Sequence, residues 1–468
     1  MRDRLQMPRQ RSRPGATRSH HDHDTARTRT GAARARPRAA RQVVPDHAAD
    51  GLSNPRPAPT GTQRRRHGVA PVTGVRPQAR IPRYHSLDRL RAAMMLLAVA
   101  RHAAVSYVPV VFFEWPYRDP QADMLSYWVV IFIRVFNLPV FFAIAGFFAA
   151  YLLDTRGTRE FLRHRWSRIG VPFLVAWPLL GVTMFFIVPF AAQFSATPPN
   201  AAYSLAELTS SRALDHLFMH LWFLYHLMIL CVAATAIRPL AARIPAALRA
   251  RAMDLFERRV HRGGIVVLIL AAGLILYRME SWAIDYYAGP FPAPRQLALY
   301  GLFFGFGWML FRKRETLEGF KRPTWALLAA GVLCFLVYRH FFELGCPPRP
   351  DRTCPEAAEG HLPAVVFLAL SMWFMAYGLI GLFLRFLNKP SPRWRYMADA
   401  SYWIYIVHVP FVMLLPILLA GVPLPGIVKF VLVSVMAIGL ILVTYHYLVR
   451  PTFIGKQLNG RRYPRRAT

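Results

Sequence analysis

The first 80 residues of the chain contain no Lys, Glu, Phe, Trp, Tyr or Ile, although they contain 18 Arg and 5 Asp. A segment with no aromatic residue and so few large aliphatic side chains cannot bury a core, so we predict that residues 1–80 form a disordered, Arg-rich arm. The arm also has no apolar central run, which excludes a secretory signal peptide.

Acidic residues and cysteines are scarce in the whole chain. The 24 Asp and Glu stand against 58 Lys and Arg, which gives a net charge of +34. Such a charge suits a nucleic acid, but 54% of the residues are hydrophobic and they occur in long runs. We therefore predict a lipid bilayer, and no nucleic acid, as the partner of the basic residues. The four cysteines show no zinc-like spacing with histidine, so no metal site is predicted.

No soluble domain, internal repeat or glycine-rich phosphate loop is recognisable after the arm. Instead, ten apolar stretches approach the roughly 20 residues that a helix needs to cross a bilayer. They are residues 92–113, 124–153, 169–191, 213–237, 264–280, 296–311, 324–344, 363–384, 401–419 and 425–449. Only a helix satisfies the backbone of a single segment in lipid, so we predict an all-α integral membrane protein with about ten transmembrane helices.

The charges of the connections support this count. The connections expected on the side of the arm carry 27 Lys and Arg, whereas those expected on the other side carry 5. Because positive charge marks cytoplasmic loops, the arm and the C-terminus are both predicted to be cytoplasmic. Cys346 and Cys354 then lie outside, where we expect them to form a disulfide across a short proline-rich loop.

Arg91 and His102 are eleven residues apart in the first predicted span, which is close to a whole number of helical turns. They therefore share one helix face, with Asp88 nearby, and His102 lies about 16 Å deeper than Arg91. An ionisable side chain at that depth is costly and indicates a functional site. The alternative is that His102 only hydrogen-bonds a neighbouring helix.

An arginine, ten residues and a histidine at the start of a first membrane helix resemble the signature of the acyltransferase-3 family of membrane acyltransferases. Five later segments are also similar to the family. They are N-L-P-V-F-F-A-I-A-G-F-F (137–148), in which Ala145 replaces the usual serine, F-L-R-H-R-W-S-R-I-G-V-P-F (161–173), H-L-W-F-L (220–224), A-S-Y-W-I-Y-I-V-H-V-P (400–410) and Y-L-V-R-P-T-F-I-G-K-Q-L-N-G-R (447–461). The last segment is most similar to the glucan biosynthesis protein C branch, which succinylates periplasmic glucans. The resemblance predicts an acyltransferase-3-like membrane domain over residues 83–462.

The resemblance implies that His102 is the general base, which takes a proton from a sugar hydroxyl as that hydroxyl attacks a thioester. A second route stays open, in which His102 carries the acyl group covalently. Arg91 is expected to bind a phosphate or carboxylate of the donor, because its planar fork suits either group. Its alternative role is a helix-end arginine that pairs with Asp88, which we include among the substrate-binding candidates.

Arg163, Arg165 and Arg168 lie at the predicted cytoplasmic edge of a span, where clustered arginines suit the phosphates of coenzyme A. Ordinary positive charge on a cytoplasmic loop is the alternative. The resemblance also marks His220 and Trp222 as substrate-binding candidates. Their alternatives are a packed histidine and a tryptophan of the interfacial aromatic belt.

Other polar residues of the spans receive a structural interpretation. Arg101, deep in the first span, requires a partner that the sequence does not reveal. Three residues of the family-like segment 400–410 are interpreted mainly as structural, with lining of the cavity as their alternative role, and they are Tyr402, Tyr405 and His408.

Together with these features, the resemblance implies a bacterial inner-membrane enzyme, an O-acyltransferase that moves a succinyl or acetyl group from cytoplasmic acyl-coenzyme A to a hydroxyl of a periplasmic glucan or another polysaccharide. Acyl-coenzyme A is a donor substrate, and no bound cofactor is predicted. Glucan synthesis proteins are candidate partners. Two other classes stay open, namely a transporter of glycans or lipid-linked sugars and an interacting subunit of a glucan synthase.

Overall fold

The computed structural model describes residues 84–109, 115–196, 214–279, 281–285, 287–345, 359–460 and 462–463. The predicted disordered arm and the predicted disulfide between Cys346 and Cys354 lie outside these residues, so both stay predictions. Within the described residues every regular element is a helix, which confirms the predicted all-α class.

The described residues contain twelve α-helices, labelled α1 to α12 in chain order. Their bounds are His85–Ala104, Met124–Arg165, Val171–Ala192, Trp222–Arg243, Ala246–Arg259, Gly264–Tyr277, Pro294–Arg312, Thr324–Gly345, His361–Phe386, Pro392–Leu414, Gly426–Thr444 and Phe453–Asn459. Short 3₁₀-helices cover Val105–Tyr107, Met219–Leu221, Arg314–Lys321 and Leu415–Leu419, and π-helices cover Trp166–Gly170 and Tyr445–Val449.

Six helical runs in the described ranges are long and apolar enough to cross a membrane, or seven if the bent pair α5–α6 forms one span. The prediction of ten spans is therefore not confirmed. One run, Met124–Ala192, has 69 residues and joins α2 to α3, which the sequence predicted as two spans. α6 has only 14 residues, and α1 carries four charged side chains. α6 is thus too short, and α1 too polar, to meet the length and apolarity of a membrane-spanning helix, although the sequence counted both as spans.

α1 lies inside the bundle, where α2, α9, α10 and α11 surround it. No residue of this helix is exposed. Its charged side chains are therefore held among protein groups instead of lipid, which accounts for a central helix of modest apolarity. Asn137 of α2 donates a hydrogen bond to the carbonyl oxygen of Met94 (2.6 Å) and fixes α1 against α2.

One end of the bundle, which we call the basic face, collects the connections that are rich in Lys and Arg. Hydrogen bonds and ion pairs join these connections to one another, and they are Arg312–Asp154, Lys313–Glu257, Arg385–Lys321 and Arg168–Leu458. A further hydrogen bond joins Lys389 to Arg89 of α1. All five connections that the charge pattern expects in the cytoplasm contribute to these contacts. Which face meets the cytoplasm stays a prediction.

Two glycines bring α2 and α7 into backbone contact. A Cβ atom at Gly146 would overlap the carbonyl oxygen of Phe304, and a Cβ atom at Gly307 would overlap that of Ala143. Small residues permit such an approach between membrane helices, where van der Waals packing drives association. The close approach of α2 and α7 explains the glycine in the family-like segment 137–148.

Candidate active site

His102 lies near the end of α1 and contacts a histidine from a distant part of the chain. Its Nδ1 is 2.8 Å from Nε2 of His408 on α10, and its Nε2 is 2.7 Å from Nη2 of Arg101. Nδ1 of His408 is in turn 2.7 Å from the carbonyl oxygen of Tyr405. A continuous row of hydrogen bonds therefore runs from Arg101 through both imidazoles to a backbone carbonyl.

The two end groups determine the direction of these hydrogen bonds. A guanidinium only donates, so Nε2 of His102 accepts from Arg101. A carbonyl oxygen only accepts, so Nδ1 of His408 carries a hydrogen. With both imidazoles neutral, His102 donates from Nδ1 to Nε2 of His408. A proton taken up at Nε2 of His102 thus has a direct path to His408.

His220 completes a cluster of three histidines. Its ring centroid lies 4.9 Å from that of His408, and its Nε2 is 3.2 Å from the carbonyl oxygen of Ile406. That carbonyl assigns the hydrogen to Nε2, so Nδ1 of His220 is an acceptor. Nδ1 is buried and has no hydrogen-bond partner within the described part of the chain. Nδ1 of His220 is therefore a buried acceptor beside the His102–His408 pair, and a bound ligand could donate a hydrogen bond to it.

The hydroxyl of Tyr405 ties this cluster together. It donates to the carbonyl oxygen of His220 (2.5 Å), which joins the segment before α4 to α10.

Across the described ranges, no group of three or more His, Cys, Asp or Glu side chains is placed to hold a metal ion.

Trp222 is buried at the start of α4 and packs among other rings. Its centroid lies 5.1 Å from that of His226 and 5.7 Å from that of Tyr300. Its carbonyl oxygen also accepts from Nδ1 of His226 (3.0 Å). Trp222 therefore lies in the packed interior, two residues from His220.

Arg91 lies at the other end of α1, about 16 Å from His102 along the helix axis. It forms an ion pair with Asp88 (3.5 Å), the contact that the sequence offered as its structural role. Arg91 is also within electrostatic range of Arg165 and Arg168. Like charges repel at such range, so an anion bound among them would stabilise the cluster.

Arg165 has buried guanidinium nitrogens. Its Nε and Nη2 have no hydrogen-bond partner among the described residues, while its Cζ lies 5.2 Å from the ring centroid of Phe161. The hydroxyl of Tyr402 on α10 is also buried and unpartnered within the described residues, and it interacts electrostatically with Arg165 and Arg168. These groups are placed to donate to a phosphate or carboxylate.

Arg168 is held by the end of the chain. It donates to the carbonyl oxygen of Leu458 on α12, and Nε2 of Gln457 donates to the carbonyl oxygen (2.5 Å) and Oγ (3.0 Å) of Ser167. The backbone of Gly460 passes against the guanidinium of Arg168. The C-terminal segment thus forms one wall of the arginine cluster.

Arg163 takes no part in this cluster. Its side chain is 81% exposed and lies 3.7 Å from Glu160. Arg165 and Arg168 are three residues apart and share a helix face, whereas Arg163 points elsewhere. Of the three arginines singled out together in the sequence, the structure brings only two toward Arg91.

The partner of His102 was not predicted from the sequence. His408 was interpreted mainly as structural, and Arg101 was left without a partner, yet both contact the imidazole of His102. The available signal was an ionisable side chain in the middle of an apolar stretch, the same signal that identified His102.

The fold and the site define a helical membrane protein with histidines in its interior and an arginine cluster at one end. The chain matches the family model described as an acyltransferase domain over residues 84–446, and it belongs to this family of membrane acyltransferases.

Several curated relatives of the chain share one name. The chain is similar to proteins called Glucans biosynthesis protein C from Salmonella heidelberg (strain SL476), Salmonella typhi and Salmonella typhimurium. It is 25% identical to each over 394 residues, which cover 80% of this chain and 95% of each relative. No solved structure matches the chain. These findings confirm the predicted resemblance to the family and to its glucan branch.

Proposed function

We propose that the chain is an O-acyltransferase of a bacterial inner membrane, which moves a succinyl or acetyl group from cytoplasmic acyl-coenzyme A to a hydroxyl of a periplasmic glucan or another polysaccharide. The observation that carries this proposal is the His102–His408 pair inside the bundle. Such a pair accepts a proton at one imidazole and shares it with the next. Membership of the family supports the reaction class, and the names of the relatives support the acceptor.

The donor is assigned to the basic face. Arg91, Arg165 and Arg168 would hold the phosphates of coenzyme A, because guanidinium forks match phosphate oxygens. Nε and Nη2 of Arg165 and the hydroxyl of Tyr402, which have no partner among the described residues, supply donors at the same place. A pantetheine arm that follows α1 would cross about 16 Å and present the thioester to His102.

The acceptor hydroxyl approaches Nε2 of His102 and displaces Arg101 from it. Nε2 takes the hydroxyl proton as the oxygen attacks the thioester carbonyl carbon, and Nδ1 shares its hydrogen with His408. The guanidinium of Arg101, released from Nε2, stands beside the carbonyl and stabilises the oxyanion. The carbon–sulfur bond then breaks, and the proton passes from His102 to the departing thiolate.

A covalent route uses the same groups in another order. Nε2 of His102 attacks the thioester carbonyl carbon, the carbon–sulfur bond breaks, and His408 passes the Nδ1 proton of His102 to the departing thiolate. The acceptor hydroxyl then attacks the acyl carbon, the carbon–nitrogen bond breaks, and His220 or His408 moves the hydroxyl proton to the imidazole of His102. Release of free coenzyme A after rapid mixing with donor alone separates the two routes. A rapid burst of about one coenzyme A per protein that is absent from His102→Ala supports the covalent route, and the lack of a burst supports direct transfer.

The test uses the full chain in lipid nanodiscs with labelled succinyl- or acetyl-coenzyme A and a short linear β-glucan. Ester formation is measured on the recovered glucan. His102→Ala is expected to lower the rate by about 100-fold or more. His261→Ala is the control, because Nε2 of His261 lies 2.7 Å from the carbonyl oxygen of Thr316 on the basic face. Glucan movement without ester would favour a transporter, and no ester with either donor would refute the proposal.

A further inference from the structure

Residues 115–121, which we call the outer strap, cross the end of the bundle opposite the basic face. The strap lies against the 3₁₀-helix that continues α1 three residues beyond His102. The backbone N–H of Asp119 donates to the carbonyl oxygen of Ser106 (2.9 Å), and Nε1 of Trp115 donates to the hydroxyl of Ser106 (2.8 Å). The strap is therefore fixed to the helix that carries His102.

A buried ion pair anchors the strap to α11. Nζ of Lys429 lies 2.9 Å from each carboxylate oxygen of Asp119, and neither side chain has any solvent exposure. Asp119 also accepts from the hydroxyl of Tyr117 (3.0 Å) and the backbone N–H of Gln121 (2.8 Å). Charges buried so completely are retained only when paired and hydrogen-bonded, so the path of the strap is tightly constrained.

The constrained strap places the ring of Trp115 beside the imidazole of His102. The two rings are within 8° of parallel, with centroids 6.3 Å apart. The indole N–H is already used by Ser106, so Trp115 presents its ring face rather than its polar edge. Trp115 is partly exposed and packs against the apolar cluster that includes Val409, the neighbour of His408.

We infer that Trp115 is a binding residue for the acceptor, and that its indole face receives a pyranose ring whose hydroxyl then meets His102. The face of an aromatic ring carries negative charge and attracts the weakly positive C–H groups on one face of a sugar. The acceptor class is therefore a saccharide, bound at the end of α1 away from the donor arginines. Asp119 and Lys429 are positioning residues for this platform. The inference rests on the proposed function, which supplies the hydroxyl acceptor.

The experiment compares Trp115→Ala and Trp115→Phe in the full chain in nanodiscs. KM is measured separately for the β-glucan and for acyl-coenzyme A, and β-glucan binding is measured without donor. Trp115→Ala is expected to weaken glucan binding and raise the glucan KM by about tenfold, with the donor KM unchanged. Trp115→Phe keeps an aromatic face and should recover most of the loss.

Trp403 supplies a matched control, because it is partly buried and donates from Nε1 to the hydroxyl of Thr444 (2.9 Å). Trp403→Ala should leave the glucan KM unchanged. An unchanged glucan KM in Trp115→Ala, or an equal rise in both KM values, would overturn the inference. Wild-type protein that binds β-glucan but forms no ester would refute the proposed reaction and leave the Trp115 site standing. Wild-type protein that binds no β-glucan would refute the Trp115 site itself.

Discussion

Nδ1 of His102 and Nε2 of His408 are 2.8 Å apart, although 306 positions separate the two residues in the chain. α1 and α10 pack along each other, and this packing brings the imidazoles together inside the bundle. Arg101 at one end and the carbonyl oxygen of Tyr405 at the other give the hydrogen bonds a single direction. A proton gained by His102 therefore meets a base that is already oriented to receive it.

The pair can be tested at its distal member. His408→Ala is expected to lower kcat by about 100-fold with little change in the donor KM, because proton transfer fails while donor binding persists. His408→Asn keeps an oxygen that accepts from Nδ1 of His102 but cannot take up a proton. It should be as slow as His408→Ala. The measurement is ester formation per inserted protein.

Two results would contradict this prediction. Full activity of His408→Asn would show that His408 only orients His102. Full activity of His408→Ala would show that the pair has no role in catalysis. His261→Ala controls for the loss of a hydrogen-bonded histidine elsewhere in the chain.

The sequence predicted the polar residues of α1 better than it predicted their partners. Spacing along one helix placed Arg91, Asp88 and His102, because helical periodicity depends only on neighbours in the chain. The same periodicity separates Arg163 from Arg165 and Arg168, so this distinction was available before the structure. The contact of His102 with His408 was not available, since it depends on which helices pack together.

The ten predicted spans were not confirmed, for a related physical reason. Length and hydropathy measure how well a segment suits lipid, and they omit α1, which is surrounded by protein and tolerates charge that lipid would exclude. The ion pair between Asp119 and Lys429 was also not predicted from the sequence, because a lysine at the start of an apolar stretch is ordinarily interpreted as an interfacial residue. Only the structure shows that both side chains are fully buried.

The arginine cluster predicts an effect on the donor alone. Arg91→Lys and Arg165→Lys keep the charge but lose the planar fork, so each should raise the donor KM by about tenfold and leave the glucan KM unchanged. Arg163→Lys is the control, because Arg163 is exposed and outside the cluster. Equal donor KM values for all three variants would show that the cluster is ordinary positive charge of the basic face.

A substitution in the C-terminal segment should also raise the donor KM. Gly460 has a φ of +75°, and a Cβ atom there would overlap the guanidinium of Arg168. Gly460→Ala should therefore displace Arg168 and raise the donor KM. Gly263→Ala is the matched control, since Gly263 has a φ of +84° with no neighbour within 4 Å of its would-be Cβ. Both variants carry backbone strain of about 1–2 kcal/mol, but only the first presses on an arginine.

A double variant that combines Gly460→Ala with Arg168→Ala tests whether Gly460 acts through its contact with Arg168. If Gly460 acts through Arg168, the double variant should show the donor KM of Arg168→Ala alone. Additive effects on the donor KM would mean that Gly460 matters for another reason.

The Asp119–Lys429 pair predicts an unequal response to its two single substitutions. Lys429→Met removes the cation, but Asp119 keeps the hydrogen bonds from Tyr117 and Gln121. Asp119→Asn leaves a fully buried ammonium without a counter-charge and should destabilise the protein by about 3–5 kcal/mol, the greater loss of the two. The double variant Asp119→Asn/Lys429→Met buries no charge and should recover much of the stability of Asp119→Asn. The stability of all three variants is measured by heating them in one detergent and monitoring the loss of monodisperse protein. Lys313→Met is the control, because it removes a lysine from an exposed ion pair. A double variant less stable than Asp119→Asn would show that the pair stabilises the fold beyond compensating its own burial.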